Sequence, residues 1–184
     1  MVWHGGANAA STTAYLHILR ASIPRVKKLF VGLHARTFCH TTEDLVKVKQ
    51  AVANVVGDTE LRISKTVGHH GNPITIIEST VDETSGISEF FAKIDDRDLS
   101  VIEETLPSRV DDGCNIFLKI DKQEAFLGRV RIGHGDDVIS LRIRVAAFPA
   151  TCAVAQNNIR EFLTGERARR DSPKTIPVTS HSDD

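Results

Sequence analysis

Hydrophobic and polar positions change period several times along this chain, and each change marks an element. Leu29, Val31, Leu33 and Ala35 alternate with Phe30, Gly32, His34 and Arg36, the two-residue period of a half-buried strand. One of its faces is apolar and the other carries histidine, arginine and aromatic side chains. Thr41 or Thr42, followed by Glu43 and Asp44, reads as a helix start with acids in the first turn. Leu45, Val48, Val52 and Val55 or Val56 then form a stripe ending at Gly57. Leu61, Ile63 and Val67 against Arg62, Ser64 and Thr66 give a second strand, and Ile74 to Val81 a third. Gly68-His69-His70-Gly71-Asn72-Pro73 joins them as a hairpin connection.

Two short amphipathic helices are expected over Ile87 to Ile94 and Leu99 to Leu106, stopped by Pro107 and the Asp111-Asp112-Gly113 turn. A fourth strand follows in which Ile116, Leu118 and Ile120 alternate with Phe117, Lys119 and Asp121. In a fifth, Ile139, Leu141, Ile143 and Val145 alternate with Val138, Ser140, Arg142 and Arg144. Gly133 to Asp137 is a hairpin loop, and Thr151 to Leu163 closes the domain as a helix. The order β-α-β-β-α-α-β-β-α has more hairpins than parallel crossovers. It predicts an α+β fold, with helices on one face of a mostly antiparallel sheet.

Composition adds bounds. At 184 residues, 41 % hydrophobic and 26 % charged, the chain has room for one sizeable domain without disulfide or metal staples. Residues 1–26, rich in Gly, Ala, Ser and Thr, read as a poorly ordered extension, 27–164 as the folded domain, and 165–184 as a disordered tail. No apolar run approaches the roughly 18 residues that span a bilayer, and the start lacks a secretory pattern. Cys39, Cys114 and Cys152 form no CxxC pair, which favours a reducing cytoplasm over a disulfide framework. Net charge is -1, yet Glu78 to Asp112 holds 11 acidic and 3 basic residues, a balance of -8. Of the 23 basic and 24 acidic residues, 20 and 13 then lie elsewhere, a balance of +7 that suits an electrically bipolar molecule.

If the apolar strand faces meet the helices, the opposite face presents Phe30, His34, Arg36, Phe38, Arg62, Phe117, Lys119, Arg142 and Arg144. Cations neutralise phosphates and rings accept stacked bases, the two ingredients of single-strand or loop RNA recognition. The same pattern also fits an ordinary polar sheet face, or a dimer surface. His69 and His70 are adjacent, so on extended backbone they point apart. They build a turn or contact an anion more readily than they share a metal. Asp121 and Glu124 are either a structural cluster around Lys122 or a general acid pair. No GxSxG, GxxxxGK[ST] or strand-linked GxGxxG frame is present, and no cofactor is expected.

Gly68-His69-His70-Gly71-Asn72-Pro73-Ile74, Asp121-Lys122-Gln123-Glu124-Ala125-Phe126-Leu127-Gly128, Asp136-Asp137-Val138-Ile139 and Phe148-Pro149-Ala150, together with Arg36 to Asp44, resemble segments of the archaeal RNA-binding family described as predicted exosome subunits. The resemblance covers about Lys27 to Leu163. It implies a fold similar to that of the ribosomal protein that binds 5S ribosomal RNA, and a role in RNA metabolism. The expectation is a non-catalytic cytoplasmic RNA-binding protein, an accessory of RNA processing or degradation. Its partners would be RNA, exosome or ribosome-related proteins, and a second copy in a homodimer. The expected contacts are His34, Arg36, Arg62, His69, His70, Asn72, Lys119, Lys122, Arg142 and Arg144. The alternatives are a hydrolase that uses His69, His70, Asp121 and Glu124, with or without a metal, and a structural assembly subunit.

Overall fold

The computed structural model describes residues 28–68 and 71–171. The expected N-terminal extension, His69, His70 and residues 172–184 lie outside these. Five strands, β1 (Phe30–His40), β2 (Leu61–Val67), β3 (Pro73–Val81), β4 (Asn115–Asp121) and β5 (Val138–Val145), form one sheet in the order β2-β3-β1-β5-β4. Every neighbouring pair is antiparallel. The helices are α1 (Leu45–Val56), α2 (Thr84–Ala92), α3 (Asp96–Arg109), α4 (Lys122–Phe126) and α5 (Cys152–Asp171). Fold class and strand order of appearance agree with the alternation in the sequence.

The core lies between one sheet face and the helices. Leu33 and Ala35 of β1, Ile77 of β3, Ile116, Leu118 and Ile120 of β4, and Leu141 and Ile143 of β5 are buried there. They meet Val52 and Val55 of α1, Ile87 and Phe91 of α2, Ile102 and Leu106 of α3, and Ile159 and Leu163 of α5. Buried apolar area of this kind supplies the main driving force for folding. With that face sealed, the other is left uncovered.

Several boundaries differ from the expectation, each for a local reason. Phe30 is not on the open face: it is 0 % exposed, stacked on Phe91 at 5.2 Å and edge-on to Phe162 at 5.0 Å. The cause is a bulge. Phe30 pairs with Val145 and Gly32 with Arg144, so two residues of β1 advance against one of β5 and the side-chain parity inverts. Val31 is consequently exposed. The cap of α1 is Asp44, not a threonine, with its carboxylate accepting from the Val46 N–H, while Glu43 accepts from the His40 N–H. Helix α3 is not stopped by Pro107 but carries it within its last turn to Arg109.

Two helical features escaped the pattern. Helix α4 has only five residues, too few to show a period, and is announced by its cap: the Asp121 carboxylate accepts from the Glu124 N–H at 2.8 Å. Helix α5 runs past Thr164 to Asp171 and is tied down throughout. Arg167 meets Glu103 at 2.7 Å, and the Arg170 guanidinium donates to the carbonyls of Ile94, Phe91 and Ala92, which closes the end of α2. Residues 165–171, which the sequence assigned to a tail, are thus part of α5.

Candidate nucleic-acid interface

Strand register arranges the open face in rows. One row runs Arg62, Glu78, Arg36, Ser140, Lys119 across β2, β3, β1, β5 and β4. The next runs Thr80, His34, Arg142, Phe117, and beyond it Gly32, Arg144, Asn115. On the other side lie Ser64, Ile76, Phe38, and then Thr66, Ile74, His40. Alternation places these residues together because side chains two apart on a strand share a face. The result is a surface with five permanent cations, Arg36, Arg62, Lys119, Arg142 and Arg144, and two exposed rings, Phe38 at 41 % and Phe117 at 45 %.

The cations differ in how committed they are. Arg62, Arg142 and Arg144 are exposed and make no hydrogen bond or ion pair among the described residues, although the Arg142 charge joins the Asn115 hydrogen bonds in holding the Asp111 carboxyl below its ordinary range. Lys119 donates to the Gly135 carbonyl at 3.2 Å, which uses one of its three hydrogens. Arg36 lies 5.2 Å from the Phe38 ring centroid and 3.6 Å from the Glu78 carboxylate. His34 sits 3.8 Å from the same carboxylate. Asn72 is in the β2–β3 turn, where its carbonyl accepts from the Gly68 N–H, at the margin of the face.

Lys122 is elsewhere. It is 3 % exposed, and its three ammonium hydrogens reach the Phe38 carbonyl at 2.9 Å, Glu43 at 2.9 Å and Asp137 at 2.7 Å. Burial opposes the charge, but the hydrogen bonds and charges of Asp137 and Glu43 outweigh it and hold the ammonium above its ordinary range. Lys122 thus clamps β1, the start of α1 and the loop before β5, and it offers no donor to a ligand. The cluster forms through Glu43 and Asp137, not through Asp121 and Glu124 as the spacing suggested. Asp121 caps α4, and Glu124 is gripped by Arg129 through two hydrogen bonds at 2.6 and 3.1 Å. The Arg129 hydrogen bond holds the Glu124 carboxyl below its ordinary range, the opposite of a general acid's requirement. A depression of about 360 Å³ between α1 and α4 is lined by Glu43, Asp44, Lys47 and Lys122, but not by Asp121 or Glu124. Among the described residues no group of His, Cys, Asp or Glu is arranged to hold a metal ion, and no helix is long and apolar enough to cross a membrane.

Glu78 was not singled out by the sequence, where it opens the acidic stretch. In the fold it stands amid the cations. The available signal was parity: Ile77, Ser79 and Val81 are buried, so Glu78 and Thr80 must face the other way.

A family model described as RNA binding matches residues 33–145, from β1 through β5. A protein of Pyrococcus abyssi named as an RNA-binding protein is 32 % identical over 145 residues, which are 73 % of this chain and 94 % of that protein. A DUF54 protein of Methanothermobacter thermautotrophicus has a similar structure, with a TM-score of 0.65 and 32 % identity over 73 % of this chain and 98 % of its own. A second DUF54 structure, from Archaeoglobus fulgidus, gives a TM-score of 0.65 at 28 % identity over 72 % and 99 %. The matched span carries all five strands of the open face, and the chain belongs to this RNA-binding family.

Proposed function

We propose that this protein binds RNA on the open sheet face and serves in the cytoplasm as an accessory of RNA processing or degradation. The observation that carries this reading is the row structure of that face. Arg36, Arg62, Lys119, Arg142 and Arg144 share one uncovered surface with Phe38 and Phe117. The cations of the central row stand two strands apart, about 10 Å, with Arg142 on the diagonal between Arg36 and Lys119, a spacing a phosphate backbone can follow, and exposed rings beside them accept bases. His34 lies within this track on β1 and Asn72 in the β2–β3 turn, both as hydrogen-bonding groups. The name of the Pyrococcus relative supports RNA as the ligand, and the resemblance of the Gly68–Ile74 and Asp121–Gly128 segments supports an exosome- or ribosome-associated setting.

Filter binding to mixed cellular RNA at low salt tests the reading. With up to five phosphate contacts on single strands, log K falls by about 2 to 3.5 per decade of salt, from roughly 0.7 per contact. No complex at low salt would exclude the function. Co-purification from cell extract with and without ribonuclease separates RNA-bridged partners from direct ones.

A further inference from the structure

We infer that Glu78 reads an unpaired guanine, accepting the base's N1–H and exocyclic N2–H while the ring stacks on the Phe38–Arg36 pair. The inference rests on the RNA-binding reading of the open face and names the base that it selects.

The starting observation is a carboxylate in an unfavourable place. Only two acids occur within the five strands, and one of them, Asp121, is turned into a helix cap. The other is Glu78, placed by register directly between Arg62 and Arg36. A negative charge there repels phosphate. Its contribution to the fold is small, because half-exposed ion pairs of this length gain little over solvation by water. Arg36 Nε at 3.6 Å and His34 Nε2 at 3.8 Å both approach Oε1, beyond hydrogen-bond distance, and Oε2 has no partner among the described residues. The carboxylate is held in place by charge yet keeps its acceptor capacity, with 28 % of the side chain exposed.

Two carboxylate oxygens side by side fit two parallel N–H donors. Guanine alone among the four bases offers that pair, on its Watson–Crick edge. Adenine and cytosine present one amino group beside a ring acceptor, and uracil a single N–H between two carbonyls, so each brings a lone pair against an oxygen of Glu78. The edge is free only when the base is unpaired. A paired guanine shows N7 and O6 acceptors in the major groove, which a carboxylate repels. The stacking surface is in reach: Phe38 occupies the next row of the neighbouring strand, a diagonal of about 7–8 Å from Glu78. The Arg36 guanidinium against that ring extends the platform.

The test uses octauridine carrying one central G, A, C or inosine, with anisotropy measured at fixed low salt for the wild type and Glu78→Gln. The wild type binds the G oligomer about tenfold more tightly than the A and C oligomers. Inosine, which lacks the N2 amino group, falls between them, and this arm alters only the ligand. Glu78→Gln brings all four within about twofold of one another and binds the A and C oligomers at least as tightly as the wild type does, since a repulsive charge is gone. Equal wild-type binding of the four oligomers, or a G preference that survives Glu78→Gln, overturns the inference while leaving the RNA face standing. Uniform weakening of all four by Glu78→Gln also overturns it, assigning Glu78 to holding Arg36 and His34. Absence of binding to any oligomer removes the RNA face and this inference together.

Discussion

Replacing Lys122 by Met separates a clamp from a contact. The methionine fills the volume of the lysine stem but withdraws three charge-assisted hydrogen bonds, to Phe38 O, Glu43 and Asp137. The part-buried Phe38 carbonyl loses this donor, and Glu43 is left with its side chain only 21 % exposed, whereas Asp137 at 53 % recovers water. Breaking a buried ion pair by removing one partner costs about 3–5 kcal/mol, and the solvation of Asp137 places this case near 3. For a domain of this size that is roughly a 10 °C fall in Tm. Urea unfolding followed by circular dichroism at neutral pH should show the lower midpoint with an unchanged slope. RNA affinity, measured where both proteins are folded, should stay within about twofold of wild type. A loss below about 1 kcal/mol would refute the clamp, and normal stability with weakened RNA binding would return Lys122 to the interface.

The same cluster sets a pH window. Burial pushes the Asp137 carboxyl up, but hydrogen bonds from Gln123 and Lys122 together with the Lys122 charge hold it below its ordinary range, so it adds stability above the usual carboxylate range that drains away as pH falls through its folded value. Lys122, held high, adds stability below the usual lysine range, lost as pH rises through its folded value, so the gap between wild type and Lys122→Met should be widest near neutrality and narrow at both extremes of a urea–pH series. Ending the chain at Thr164 removes the Arg167–Glu103 pair and the Arg170 cap on α2, and should cost about 3 kcal/mol in the same unfolding assay. Phe117→Ala should weaken single-stranded RNA by about 1–3 kcal/mol in anisotropy with little change in Tm. Phe30→Ala should do the reverse, costing about 3–5 kcal/mol of stability.

What the sequence disclosed, and what it withheld, follows from the range of the interactions involved. Alternation is a local property, so the five strands and the shared side of Arg36, Phe38, Arg62, Phe117, Lys119, Arg142 and Arg144 could be read directly. Phe30 broke that rule because a bulge needs only one extra residue, and register against β5 is invisible in a single strand's pattern. Lys122 looked like a surface cation because its partners, Glu43 and Asp137, are 79 and 15 positions away in the chain. Residues Gly165 to Asp171 read as tail because Arg167 and Arg170 find their acceptors on α2, α3 and the segment between them, and a polar helix end held by distant carbonyls has no apolar stripe. Glu78 was counted with the acids of its segment, although strand parity sets it opposite Arg36 and Arg62.

Charge reversal of Arg142 and Arg144 to Glu places the most direct demand on the open face. Both side chains are exposed on β5, flank the buried Ile143 and make no hydrogen bond or ion pair among the described residues, so the fold loses little while the interface loses two of its five cations. If RNA lies on this sheet, the double variant keeps its oligomeric state and Tm. It loses most of its affinity for single-stranded RNA at low salt, and its slope of log K against log salt becomes shallower by about 0.7 for each lost contact. Wild-type affinity and slope in the double variant would contradict the assignment, as would a changed oligomeric state with RNA binding intact, which would make the face a contact between protein chains.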